Sequence, residues 1–209
     1  MKLSIHIPKT AGTTFRELLQ KYYGEAICLH YYRPFDYTGR PIDEIPSGTQ
    51  CVHGHFGARR FLENYNEIEL ITWIRNPVDR VVSEYEHLKR SPDPQSGLSQ
   101  LIAAGATLLD FAEHDYARNT HARYFDGINP DHFTFVGLSE NFDSELDRFH
   151  EITGIDLPKG HRVNVNPFKR GLHYSVTDIE REKLMQLNTE DFDLYDYCTR
   201  TVIALPRAS

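Results

Sequence analysis

Residues 68–74 read Ile-Glu-Leu-Ile-Thr-Trp-Ile, a run in which Leu70, Ile71, Trp73 and Ile74 leave almost no polar face. A strand that is apolar on both sides has to be covered on both sides, which is the situation of an interior strand in a mostly parallel sheet. Arg75, Asn76 and Pro77 end the run, and a helix is expected from near Pro77 to about Lys89. Pro77 suits the first helical turn, where its missing N–H leaves nothing unpaired.

A doubly covered strand calls for alternating strands and helices, and the rest of the chain supplies them. Leu3 to Ile7 is expected as a short strand. Pro8, Lys9, Thr10, Ala11 and Gly12 follow as a small-residue loop, and Thr13 or Thr14 is expected to cap a helix from about Phe15 to Tyr23. Gln50 to Phe56 reads as a strand ending in a His-Gly-His turn, and Phe133 to Gly137 as another. Glu140 to Thr153 has the helical spacing of Phe142, Leu146 and Phe149. Further helices are expected over Leu98–Ala104, Leu108–Ala112, Asn119–Tyr124, Asp178–Leu187 and Phe192–Ile203. His30–Gly48, Ser91–Gly97 and Pro158–His173 read as loops. The expected class is α/β: three layers, with a mostly parallel central sheet flanked by helices. At 209 residues, 1–209 is expected to be a single domain.

Bulk properties remove several function classes. The net charge is -7, so a basic field for nucleic acid is not expected, although a few placed Arg and Lys can still build a local anion site. Most of the 12 Tyr and 12 Phe are assigned to the core. Three cysteines, Cys28, Cys51 and Cys198, do not make a disulfide framework and fit a reducing compartment. No apolar run suits a membrane helix, no secretory leader is evident and no N-x-Ser/Thr sequon occurs; a cytoplasmic location is expected.

Two stretches carry phosphate-type chemistry. In HIPKTAGTTF, His6 to Phe15, a strand feeds a small-residue turn and then a helix, which presents free N–H groups and the positive end of a helix dipole to an anion. Lys9 adds a point charge and Gly12 allows a tight turn or close approach. This is not a Walker A loop, whose Gly-Lys-Ser/Thr ending is absent, and no acidic residue for magnesium is evident at a strand end. In TWIRNPVDRVVSEYEH, Thr72 to His87, Arg75 closes the best strand and Ser83 lies on the following helix. In open α/β sheets, ligands bind beyond the carboxyl ends of the strands, and an Arg with a hydroxyl there makes charge-assisted bonds to phosphate. Arg80 is read as structural, paired with a carboxylate such as Asp79 or Glu84.

The first stretch resembles the 5'-phosphosulfate loop of the P-loop-like sulfotransferases, more narrowly the heparan sulfate and uronyl 2-O-sulfotransferase branch. The second resembles their 3'-phosphate site. The resemblance is best over about residues 3 to 90 and continues more weakly to about 200. It implies a P-loop NTPase-like sulfotransferase fold. It also implies sulfuryl transfer from 3'-phosphoadenosine 5'-phosphosulfate (PAPS) to a hydroxyl acceptor, with 3'-phosphoadenosine 5'-phosphate (PAP) as product and no metal. Lys9 is implied to contact the transferring group, Thr10, Gly12, Thr13 and Thr14 to hold the 5'-phosphate, and Arg75 and Ser83 the 3'-phosphate. Lys169 and Arg170, in the late loop with Asn164, Asn166 and Gly171, are implied to close over the nucleotide.

His53-Gly54-His55 lies between the two anion loops, and residues two apart on an extended segment point the same way. A neutral imidazole can take a hydroxyl proton. The 2-O branch carries a similar His-x-His, which implies His53 as general base with His55 in a supporting or acceptor-contact role. A zinc site from Cys51, His53 and His55 is the competing reading, with no evident fourth ligand. Asn119 and Arg123 resemble a family segment near the acceptor. The membrane anchor and lumenal disulfides of the eukaryotic relatives are not expected here. With the acidic balance, the expected acceptor is a small molecule, short glycan or glycolipid rather than a long sulfated polymer. Two other readings stay open: a P-loop small-molecule kinase, and a non-catalytic nucleotide-binding relative that uses the His30–Phe35 region for a partner.

Overall fold

The computed structural model describes residues 1–31, 45–62, 65, 67–163 and 173–202. Among them, strands β1 (Lys2–Ile5), β2 (Ile27–His30), β3 (Cys51–Gly54), β4 (Glu69–Ile74) and β5 (Phe133–Leu138) form one sheet of order β2-β3-β1-β4-β5. Every neighbouring pair is parallel. The apolar run 68–74 becomes β4, which lies between β1 and β5 with Ile71 and Ile74 fully buried. β2 has no counterpart in the sequence pattern. It is a short edge strand whose residues are mostly half-buried or exposed, and its pairing with β3 defines it.

The in-register neighbours sort the sheet into two faces. Leu3 sits beside Val52 and Leu70, and these pack with Phe125, Phe133, Leu194 and Tyr195 on one face. Phe125 lies on helix α5 (Thr120–Phe125), and Leu194 and Tyr195 on α8 (Thr189–Tyr197). Ser4 sits beside His53 and Ile71 on the other face. That face is covered by Phe15, Leu18 and Leu19 of α1 (Gly12–Tyr23) and by Phe142, Leu146 and Phe149 of α6 (Phe142–Thr153). A third apolar cluster joins α2 (Pro77–Arg90), α4 (Leu108–Ala112) and α7 (Asp178–Leu187) through Val78, Val81, Phe111 and Leu184, with Leu98 and Ile102 of α3 (Gly97–Ala103) against it. The three-layer α/β expectation and the structure agree, and the sheet is parallel throughout.

Two local expectations change. α1 starts at Gly12 with Ala11 as N-cap, so Thr13 and Thr14 lie inside its first turn and no side chain caps the helix. The last helix closes at Tyr197 and passes into a π turn over Cys198–Val202.

Gly54 ends β3 directly beside His30 of the parallel strand β2: a Cβ there would lie 1.7 Å from the His30 carbonyl oxygen. That neighbour is main chain and cannot swing aside. Gly54→Ala is expected to destabilise the fold by at least about 1–3 kcal/mol, the usual cost of forced overpacking. A fall in the urea midpoint at unchanged m-value checks it, and an unchanged midpoint refutes it.

Candidate active site

All five strands run the same way, so their carboxyl ends open on one edge of the sheet, and a cleft of about 530 Å³ lies there. The β1–α1 turn supplies Lys9, Gly12, Thr13 and Thr14 to it. The residue after β3 supplies His55, the residue after β4 supplies Arg75, and Ser139 and Glu140 follow β5. α2 adds Ser83, Glu84, His87 and Arg90.

The β1–α1 turn is wound by two left-handed residues, Lys9 at φ 69° and Ala11 at φ 67°. Neither is glycine, so the turn holds backbone strain of the kind that clusters at ligand sites. Thr10 Oγ1 pins it from inside by donating to the Ile7 carbonyl at 2.8 Å. The result aims the uncapped first turn of α1 at the cleft, with N–H groups suited to an anion. Gly12 has a task that the sequence did not suggest. A Cβ there would lie 1.9 Å from the His6 ring, so its missing side chain makes room for that imidazole. Lys9 is largely buried; desolvation, against an opposing pull from Glu84 and with help from Arg75 and Arg90, brings its pKa down to about 8.

The second turn is built as firmly. Asn76 Oδ1 accepts from the N–H groups of Val78 and Asp79 and caps α2, while Asn76 N–H donates to Glu140 at 2.5 Å. Arg75 Nη1 donates to the Lys9 carbonyl at 3.2 Å and so ties the two turns together. The Arg75 N–H donates to His121 Nε2 at 3.3 Å, which leaves the Nδ1 side facing Asp191 at 3.0 Å. Ser83 is buried to 7% exposure and lines the cleft. Arg80 is fully buried and donates to Glu84 at 2.6 Å and to the Ala117 carbonyl at 2.5 Å, a structural pair with the second of its two candidate carboxylates.

Asp79 takes a separate role. Its buried carboxylate accepts from the Tyr174 N–H at 2.7 Å and from His173 Nδ1 at 2.5 Å. This holds the Tyr174 ring 5.5 Å from the Arg75 guanidinium, at the wall of the cleft. Lys169, Arg170, Asn164, Asn166 and Gly171 lie outside the described residues, as does most of the His30–Gly48 stretch.

His53 and His55 do point the same way, since both rings meet the His6 ring, at 5.3 and 4.4 Å. They differ in depth. His53 is still within β3, 1% exposed, with Nδ1 2.8 Å from Ser4 Oγ and Phe15 of α1 at its edge. Burial, with the neighbouring His55 and Arg16, pushes it down to about 3. Two residues along a strand are worth about 6–7 Å, and that step carries only His55 past the sheet edge into the cleft. His55 Nδ1 lies 2.6 Å from the His6 carbonyl. A carbonyl only accepts, so Nδ1 carries the proton and Nε2 keeps its lone pair. Burial lowers the His55 pKa below 6.5, partly opposed by the bond to His6 and by Glu84. His6, missed as a site residue although it opens the first motif, is held neutral by burial beside the other two imidazoles, and its Nδ1 lies 2.7 Å from the Tyr31 hydroxyl.

Asn119 and Arg123 are not brought to this cleft. Asn119 adopts a left-handed turn and bonds Glu190 and Asp191, and Arg123 spends its guanidinium on the carbonyls of Asp115, Tyr116 and Arg118. They line a shallow depression elsewhere, with Asp115 and Glu190. Cys51 packs under α1 in the apolar core, away from the cleft, and all three cysteines are free thiols. Among the described residues no group of three His, Cys, Asp or Glu side chains is placed to hold a metal ion. No helix among them is long and apolar enough to cross a membrane. Glu84 and His87 were also missed; both lie one turn apart on the α2 face that carries Ser83, the signal that would have found them.

A parallel sheet whose strand ends present an uncapped helix start, a lysine and an arginine to one cleft defines an α/β domain with a cationic ligand site. The chain belongs to the Sulfotransferase family, whose model matches residues 3–198. No curated protein matches the sequence. Similar solved structures include a mouse sulfotransferase, SULT7A1, complexed with PAP, at 16% identity and TM-score 0.41, with 88% of this chain and 63% of that one covered. A sulfotransferase from Alicyclobacillus acidocaldarius has 17% identity and TM-score 0.48, with 95% of each chain covered. Retinol dehydratase in complex with androsterone and inactive cofactor PAP has 13% identity and TM-score 0.40, with 100% of this chain and 71% of that one covered. The chain thus spans less than two thirds of the mouse protein's length.

Because the Lys9 ammonium is the charged form below its pKa of about 8, anion affinity should fall as pH rises through that value. Inorganic sulfate titrated by calorimetry across this range checks it. Lys9→Met should weaken binding and flatten the slope; an unchanged slope in that variant would assign the titration elsewhere.

Proposed function

We propose that this chain moves a sulfuryl group from PAPS to a hydroxyl of a carbohydrate or small-molecule acceptor, with His55 rather than His53 as the general base. The observation that carries the reading is the His55 Nδ1 bond to the His6 carbonyl, which leaves Nε2 as a proton acceptor at a cleft that also holds Lys9.

The residues present fit such a donor. The uncapped first turn of α1 and Lys9 suit one phosphate-like group, and Arg75 with Ser83 suits a second. PAPS, when bound, supplies the sulfuryl group and a phosphate leaving group. His55 Nε2 takes the hydroxyl proton of the acceptor, and low basicity from burial keeps it neutral and ready at neutral pH. Lys9 and the N–H groups at Gly12 to Thr14 hold the negative charge that moves toward them, at fixed positions and with little water to dilute the effect. Arg75 serves twice, by facing the cleft and by fixing the Lys9 carbonyl. His53 is a support: it fills the space under α1 and stacks on His6. The His-Gly-His turn is what supports placing the chain near the heparan sulfate and uronyl 2-O-sulfotransferase branch.

His55→Ala is expected to lower kcat by about 10²–10⁴-fold, the usual span for a lost general base, while the Kd for PAP stays within about threefold. His53→Ala should act mainly on stability, lowering the Tm. In the wild type, a base with a pKa below 6.5 keeps its acceptor form down to that pH, so kcat/KM should hold from about pH 7 to 6.5, decline below as His55 takes up a proton, and decline above as Lys9 loses its charge through about 8. Labelled-donor turnover and PAP calorimetry read these outcomes. Full turnover in His55→Ala would remove it as base, and firm magnesium-ATP turnover with indifference to PAP would replace the reading by a kinase.

A further inference from the structure

We infer that Glu84 sets acceptor specificity: its cleft-facing carboxylate oxygen receives a hydroxyl of an uncharged polyol, beside the hydroxyl that reacts, and turns away a carboxylate or sulfate at that position. The inference rests on the sulfotransferase reading and names the substrate class of the same site.

Glu84 is the acidic side chain that α2 contributes to the cleft; the other acid lining it, Glu140, already accepts from the Asn76 N–H and the Ser139 hydroxyl. One oxygen of Glu84 is spoken for, since Oε2 accepts from Arg80 Nη1 at 2.6 Å. That bond balances a guanidinium that is fully buried, and it accounts for the carboxylate as structure. It does not account for the second oxygen. The side chain keeps 16% of its surface exposed at the cleft, and no hydrogen bond to Oε1 is found among the described residues. An ionised carboxylate oxygen can only accept, so whatever fills this part of the cleft must offer an O–H or N–H.

The phosphates and sulfuryl of the donor are themselves acceptors and cannot be that group; its ribose 2'-hydroxyl and adenine amino group can donate, and retained PAP affinity in the Glu84→Gln variant below is what sets them aside. The acceptor molecule can supply that group. Ser83 precedes Glu84 on α2, and His87 and Leu88 lie one turn on, so these side chains make one face of the helix toward the cleft. Its negative charge is felt by both Lys9 and His55, the two groups that flank the proposed reacting position. A hydroxyl next to the reacting one reaches Oε1 and gains a charge-assisted bond. A carboxylate in its place meets like charge in a partly desolvated site, which works as rejection as much as the new bond works as selection.

The test uses the intact chain with PAP bound and two matched probes, methyl glucoside and methyl glucuronide, whose binding is followed by ligand-observed NMR titration. The glucoside is expected to bind at least about tenfold more tightly, and the margin should shrink as salt rises from about 0.05 to about 0.5 M, because charge repulsion is screened. In Glu84→Gln, Arg80 claims the amide oxygen and the NH₂ turns to the cleft, so the margin should collapse to about twofold or invert while PAP affinity is retained. Equal binding of the two probes, a preference for the glucuronide, no binding of either, or an unchanged margin in Glu84→Gln would overturn the assignment. If the variant fails to fold, the salt series on the wild type decides, and a salt-independent margin counts against it. Absence of PAP affinity in the wild type is a separate result: it removes the sulfotransferase reading itself.

Discussion

The cleft depends on the Arg75 side chain, which reaches from the end of β4 to the Lys9 carbonyl on the turn after β1. Neighbouring parallel strands bring two such turns within reach, but do not by themselves fix their relative orientation. The bond from Arg75 does so, and it also keeps a left-handed Lys9 backbone in place. Around it the restraints are layered: His121 takes the Arg75 N–H, Glu140 takes the Asn76 N–H, and Asp79 holds Tyr174 beside the guanidinium. The cationic groups are thereby positioned before any ligand arrives, which is the condition for electrostatic stabilisation without reorganisation.

Burial acts on the site's ionisable groups in one direction and gives two outcomes. It lowers Lys9 only to about 8, so the ammonium is still present at neutral pH. The same effect drives His6, His53 and His55 below their ordinary value, so the imidazoles are neutral at that pH. One low-dielectric pocket can therefore keep a cation and a proton acceptor side by side, because the two residue types start about four pH units apart. Separate devices for raising one and lowering the other are not needed.

Much of this was legible in the sequence, for reasons specific to each element. β4 was read correctly because burial on both faces forces an unbroken apolar run, and α2 because Pro77 marks its start. β2 was invisible because an edge strand with half-exposed residues carries no period. The depth difference between His53 and His55 was also invisible, since spacing by two fixes the face of a strand but not where the strand stops. Asn119 and Arg123 looked like acceptor contacts by resemblance. Asn119 is spent on Glu190 and Asp191, partners far away in sequence that no local pattern announces, and Arg123 on three carbonyls of the turn just before its own helix.

Gly12 shows how one missing side chain can serve two neighbours. A glycine at the start of an anion loop suggests a backbone that needs a positive φ or room for phosphate. Here the positive φ values fall on Lys9 and Ala11, and the space above Gly12 holds the His6 ring. That ring in turn packs against His55, whose Nδ1 bonds the His6 main chain. The glycine therefore acts on the proposed base as well as on the anion turn: a methyl at position 12 would displace His6 first and His55 through it. The anion turn and the proton acceptor are one packed unit, and their chemistry cannot be altered separately by changes at that position.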